Sequence, residues 1–309
     1  MTVPPLRSSS NAVATLAFSE MGLPDNFFYS LLTNESATVR LGAFDLLTFH
    51  SHQKTPLSEP CHALIQSVLP SLYIEQDPEF RVEVLRSIRN LLLRIRASTH
   101  SAAKDLERRT SKPGDITEKL KTLLSSASSF VDWLVRFCGE CITPGRTYPM
   151  ASTALKTLHL LCEEGFLMDV DVVAKPGVLS GVHAKLFSEV RLRLLLDRLV
   201  DPYDDVARLA GWLVERIKQP ERIAWGKLFG RGTELCLSGR ADKSEGGARV
   251  LRLVDQYSRI NGITNVWENV WQSLVEDMKS GDLRRVAGER SLHGRLVCLR
   301  YRACQSLLR

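Results

Sequence analysis

RLRLLLDRLVDPYDDVARLAGWLVERIK, residues 191–218, reads as two short amphipathic helices joined by an acidic turn. Leu192, Leu195, Leu196 and Leu199 recur at i, i+3, i+4 and i+7, which puts them on one stripe of a helix. Asp201-Pro202 then breaks the pattern. Asp at this place predicts a side-chain cap for the next helix, and Pro at a first helical position gives up an amide that has no partner anyway. Asp204 and Asp205 follow in the first turn, where negative charge suits the helix dipole. Val206, Leu209, Ala210, Leu213, Val214 and Ile217 make the second stripe, which closes on Lys218 and Pro220. Neither helix can bury its stripe alone, so the pair reads as one unit of a helical repeat.

Working outward, the same theme recurs. Asn34–Leu47 has a polar start and then Val39, Ala43, Leu46 and Leu47 on one face. Residues 50–60 read as a loop and Cys61–Leu72 as a short helix. Asp77-Pro78 repeats the Asp201-Pro202 turn, and Phe80, Val84, Ile88, Leu91 and Ile95 follow at helical spacing. From Val39 to Phe80 is 41 residues and from Val206 to Val250 is 44, within the roughly 40–47 of armadillo or HEAT units. Residues 97–128 interrupt this rhythm with Lys112-Pro113-Gly114-Asp115 and a Ser-rich run, and predict a long helix end, a loop and a re-entry. Phe130–Ile142 and Ala151–Glu163 restore a helical pair, and Lys175-Pro176-Gly177 breaks the chain again. Further helices are expected over 224–237, 248–257, 266–278 and 292–308. No segment alternates as a strand. The expected class is all-α: an armadillo/HEAT/TPR-like α-solenoid of paired antiparallel helices over residues 11–309, after a disordered Pro- and Ser-rich start at 1–10. Neither end has the polar outer face of a terminal repeat, so the chain reads as a piece of a longer protein.

Composition narrows the class. Among 309 residues, Lys and Arg number 41 and Asp and Glu 35, a formal charge of +6 that is weak support for an acidic partner such as RNA. Seven scattered cysteines, an odd number, read as reduced thiols of a cytosolic or nuclear protein. The first ten residues lack the apolar core of a signal peptide, and no apolar run reaches the roughly 18–20 residues of a membrane span. The expectation is a soluble intracellular protein with no membrane span.

Chemistry-bearing motifs are few. Cys138-Gly139-Glu140-Cys141 has metal or redox spacing but no second pair. Both cysteines share a helical face with Phe130, Leu134 and Phe137, so they read as core thiols. His50-Ser51-His52 stands in a loop without a carboxylate cluster, and Gly230-Arg231-Gly232 lacks the third glycine of a nucleotide turn and reads as a helix break. No catalytic residue, metal site or cofactor is expected. Trp133, Trp212, Trp225, Trp267 and Trp271 read as interhelical packing. The basic residues carry more. Arg86, Arg89, Arg94 and Arg96 lie largely off the apolar stripe, and Lys104, Arg108 and Arg109 extend the run, a face that fits phosphate binding. The same residues also fit a solvated surface partly paired to Glu83 and Glu107. A second run, Arg284, Arg285, Arg290, Arg295, Arg300 and Arg302, has the same two readings.

RLLLDRLVDPYDDVARLAGWLV (193–214) resembles the helix–turn–helix of fungal members of the thyroid-adenoma-associated protein family, regulators of a tRNA ribose 2′-O-methyltransferase. LLTNESATVRLGAFDLLTFHS (31–51), FRVEVLRSIRNLLLRIRAST (80–99) and FVDWLVRFCGECITPGRTYPMASTALKTLHLL (130–161) extend the likeness. So do SGRADKSEGGARVLRLV (238–254) and LHGRLVCLRY (292–301), in the family's order. The family's Arg-rich downstream segment has only an echo at Arg284-Arg285-Val286-Ala287-Gly288, placed before rather than after LHGRL. The chain thus resembles the repeat region upstream of that domain. The resemblance implies a non-catalytic α-solenoid that pairs with an S-adenosylmethionine-dependent methyltransferase and directs it to nucleotide 32 of the tRNA anticodon loop. A protein–protein adaptor without RNA contact is the alternative.

Overall fold

The structure, a computed structural model, describes residues 25–49, 56–108, 115–171, 182–218, 228, 230–232, 235 and 246–254. Two compact units divide the chain, residues 1–188 and 189–309. The first contains α1 (Asp25–Leu32), α2 (Ala37–Thr48), α3 (Glu59–Tyr73), α4 (Pro78–Arg108), α5 (Asp115–Cys141) and α6 (Tyr148–Glu163). The second contains α7 (Glu189–Arg198) and α8 (Asp204–Val214), with further helical residues at 246–254. Among the described residues the fold is all-α, the repeat architecture expected of an α-solenoid. Leu167 and Ala184 form an isolated parallel bridge.

Within the first unit, polar contacts fix the direction of each helix. Ser87 donates to Asp45 (2.7 Å) and Arg94 to the carbonyl of Leu47 (3.1 Å), so α2 and α4 run the same way. The Arg81 guanidinium lies 5.7 Å from the Tyr148 ring, and Arg96 pairs with Glu164, so α6 runs with them. His62 meets Ser126 and Phe130 while Tyr73 meets Phe137, which makes α3 and α5 a second parallel set running back. Of the stripe read from the sequence, Val84, Ile88, Leu91 and Ile95 are buried together with Leu92, while Phe80 is only half-buried. Phe44 joins Ala43 and Leu47 in the core, while Val39 and Leu46 are only half-buried.

The two Asp-Pro turns, alike in sequence, fold differently. Asp77 caps α4 as expected: its carboxylate accepts the Glu79 amide (3.0 Å), its carbonyl accepts that of Arg81 (3.2 Å), and Pro78 is the first helical residue. Asp201 does not cap α8, which starts three residues later with Tyr203 as its N-cap. Instead one oxygen of the buried Asp201 accepts the Tyr203 amide (3.0 Å) and the other pairs with Arg198 (2.5 Å). Both aspartates accept the amide two residues on; Asp201 differs in that Arg198, at the end of the preceding helix, holds its second oxygen.

Over 97–128 the described residues agree with a long helix end and a re-entry: α4 runs 31 residues to Arg108 and α5, including the Ser-rich run, 27 from Asp115. One further expectation changes. Gly230–Gly232 is helical rather than a break. A Cβ on Gly232 would stand 3.0 Å from a Leu251 methyl, so close helix packing accounts for the residue.

Between α6 and the end of the first unit, the described residues 164–171 and 182–188 meet each other. Ala184 donates to the Phe166 carbonyl (2.8 Å), and Asp169 accepts the amides of Leu186 (2.9 Å) and Phe187 (2.7 Å). This clasp buries Phe166, Val170, Val182, Leu186 and Phe187.

Candidate nucleic-acid interface

At about 100° per residue, Arg86, Arg89, Lys104 and Arg108 fall on the side of α4 opposite its buried stripe. The seven cations of the run meet different fates. Arg94 is buried: its guanidinium donates to the carbonyls of Leu47 (3.1 Å) and Pro56 (3.4 Å), tying α4 to both sides of the α2–α3 connection. Burial lowers its pKa. The expected face therefore loses Arg94, because its aliphatic stem packs inward and unpaired carbonyls wait at its tip. Arg86 pairs with Glu83 (2.5 Å) on the exposed surface. Arg96 and Arg89 (3.6 Å) both meet Glu164, a carboxylate 7% exposed. Lys104 and Arg108 are exposed, one helical turn apart, with no carboxylate partner among the described residues. Arg109 lies outside the described residues, as do His50-Ser51-His52 and the Arg284–Arg302 run.

Glu164 is the residue that sequence reading missed. It ends α6, its amide bonded to the Leu160 carbonyl (2.9 Å). A carboxylate there opposes the helix dipole, and two guanidiniums offset the cost. Nothing local marks it, since the arginines come from a helix about 70 positions earlier in the chain.

Beyond Arg96 the architecture of α4 changes. The bonds to α2 and α6 end at Arg94 and Arg96, and Ala102 is its last buried residue. On α5 the first buried residue is Ala127, beside Ser126 and its contact with His62 (3.1 Å). About two turns of α4 and three of α5 thus form a hairpin without a buried core. Leu106, Leu120, Leu123 and Leu124 are half-buried along its seam, and Ile116 is 53% exposed.

The other motifs resolve into packing. Cys61, Cys138, Cys141 and Cys162 are buried free thiols. Burial pushes the Cys138 thiol well above its ordinary range and that of Cys141 up to about 12, the opposite of a nucleophilic thiolate. Trp133 stacks on Phe137 (5.2 Å), and Trp212 lies under the Arg216 guanidinium (4.0 Å). Trp225, Trp267 and Trp271 lie outside the described residues. Among the described residues no three His, Cys, Asp or Glu side chains gather as a metal site would need, and no helix is long and apolar enough to cross a membrane.

A family model described as Trm732, TPR repeats, matches residues 9–208. The tRNA (32-2′-O)-methyltransferase regulator trm732 of Schizosaccharomyces pombe (strain 972 / ATCC 24843) is 27% identical over 290 residues. That alignment covers 89% of this chain and 19% of the relative, so the chain spans about a fifth of the relative's length. No solved structure matches. With helical-repeat architecture and a family match over most of its length, the chain belongs to the Trm732 TPR-repeat family.

Proposed function

We propose that this chain is a non-catalytic regulatory segment of a tRNA 2′-O-ribose methyltransferase system, acting in the cytoplasm. The observation that carries the reading is the 27% identity along 89% of the chain to a protein named as regulator of such an enzyme. The chemistry of methyl transfer belongs to the partner, which uses S-adenosylmethionine. A helical scaffold contributes by holding enzyme and tRNA in register at nucleotide 32, because fixed geometry removes entropy from the barrier. Its contact with tRNA is through phosphates, which position without reading bases.

The test is ribose methylation of tRNA by the cognate methyltransferase, with the 309-residue chain or its full-length parent added. Stimulation by the parent with the chain present as a competitor, or by the chain itself, is the expected result. A chain that neither stimulates nor competes refutes the assignment to docking. One observation favours a protein adaptor without RNA contact: Arg86, Arg89, Arg94 and Arg96 all have partners inside the protein. Recovery of the methyltransferase after nuclease treatment, with no direct tRNA binding, distinguishes that reading.

A further inference from the structure

We infer that the free end of the α4–α5 hairpin is an arm that meets the phosphate backbone of RNA, with Lys104 and Arg108 as its contacts. This rests on the regulatory reading above and relocates its nucleic-acid contact. The sequence favours the Arg86–Arg96 part of the run, where basic residues are densest, but the fold spends those charges internally. Arg94 satisfies carbonyls, Arg96 and Arg89 share Glu164, and Arg86 has Glu83 beside it. A phosphate binding there must compete with carboxylates already in place, one of them buried. Lys104 and Arg108 require no such displacement. They lie one turn apart on the outward side of α4; Glu107 and Asp105 stand three residues from Lys104 and Arg108 respectively, within reach along the helix, but no ion pair joins either acid to these cations among the described residues.

The base of the arm is built to hold it. Arg94 ties α4 to Leu47 and Pro56, Arg96 ties it to Glu164, and His62 joins α5 at Ser126 while stacking on Phe130 (ring centroids 4.6 Å apart). Five helices, α2 to α6, thus meet at the level where the hairpin leaves the core. Helices that merely ran long would not need buried polar anchors at that level, since a buried charge costs stability unless fully paired. The anchors fix the direction of the arm, and with it the position of the two cations. Arg94, Arg96 and Glu164 act as positioning residues rather than contacts. A phosphate backbone fits such an element: it offers closely spaced negative charge and asks for presented cations rather than a shaped pocket.

The experiment is a salt titration of tRNA binding to the 309-residue chain, alone and with its methyltransferase. It compares the wild type with K104Q/R108Q and with R86Q/R89Q. The arm pair is expected to weaken binding at least fivefold and to reduce the slope of log K against log salt by about 1.5 to 2, two phosphate contacts. R86Q/R89Q is expected to keep at least half the affinity and the full slope. Lys104 and Arg108 are exposed, so the thermal melt of K104Q/R108Q should match the wild type; R86Q/R89Q takes one of the two guanidiniums from Glu164 and should melt slightly lower while staying folded at the temperature of the titration. Wild-type affinity and slope for K104Q/R108Q overturn the arm while leaving the regulatory reading in place if methylation is still stimulated. A wild-type chain that binds no tRNA in either setting overturns RNA contact altogether. Loss with R86Q/R89Q alone overturns the relocation.

Discussion

His62, on the first turn of α3, shows how far one residue's chemistry departs from its sequence context. Its Nδ1 lies 3.1 Å from the Ser126 hydroxyl, its ring stacks on Phe130, and its Nε2 is buried without a partner. Burial, reinforced by the Arg94 charge, lowers its pKa to about 4. The proton is therefore bound more tightly by the unfolded chain than by the folded one. Between pH 6.5 and 4 the unfolded state takes up a proton that the folded state refuses, so stability falls as pH falls through that window, by up to about 3 kcal/mol. Denaturant melts at pH 7 and pH 4.5 should show this loss. His62→Phe should remove its share of the pH slope whatever it does to stability at pH 7, and an unchanged slope would show that His62 is not the titrating group. None of this is visible in the sequence, where His62 is one polar letter among apolar ones. Arg94 is a similar case: its spacing places it at the margin of the buried stripe, and only the carbonyls of Leu47 and Pro56 decide which way it turns.

At the scale of elements, the Asp-Pro turns give a clear test because the local letters agree and the structures do not. Asp77 is an exposed cap, and its replacement by Ala should cost about 1 kcal/mol. Asp201 is buried with its carboxylate on Arg198, so Asp201→Ala strands a charge and should cost about 3 kcal/mol. Urea melts of the two variants measure the difference, and equal losses would mean that the Arg198 pair contributes nothing. Helix identity was readable at both turns, because apolar spacing is a local property. The start of α8 was not, because the same Asp-Pro pair opens a helix at Pro78 and stops short of one at Pro202. The length of α4 and α5 was also hidden, for Pro113-Gly114 and the serines beside it mark a break without fixing where each helix ends.

For the whole chain, the division at Ser188 and Glu189 has a physical basis in the clasp of residues 164–188. Asp169 accepts two backbone amides there, and the aromatic rings of Phe166 and Phe187 seal the core behind α6. Residues 1–188 expressed alone should therefore keep a helical circular dichroism spectrum and a cooperative melt. Asp169→Ala in that fragment should lower its stability by about 2 kcal/mol, since both amides lose a charged acceptor. A non-cooperative melt of the fragment would mean that the first unit depends on the second. The formal charge of +6 misleads at this scale: much of the positive charge in the first unit caps carbonyls or balances acids, as with Arg40 on Glu75 (2.5 Å).

By itself the sequence determined that the chain is helical, that it is built from paired helices, and which family it resembles, because apolar periodicity and motif order are written along the chain. It also placed Arg86, Arg89, Lys104 and Arg108 on the outer side of α4, though it misplaced Arg94. Tertiary structure alone decided which of those cations remain available, how far the α4–α5 hairpin runs past the core, and where the first unit closes. Each of these depends on groups distant in sequence: Glu164 against Arg89 and Arg96, His62 against Ser126, Asp169 against Leu186 and Phe187. A charge or a carbonyl brought close by folding outweighs the local preference of the residue that meets it, and no window of sequence contains both partners.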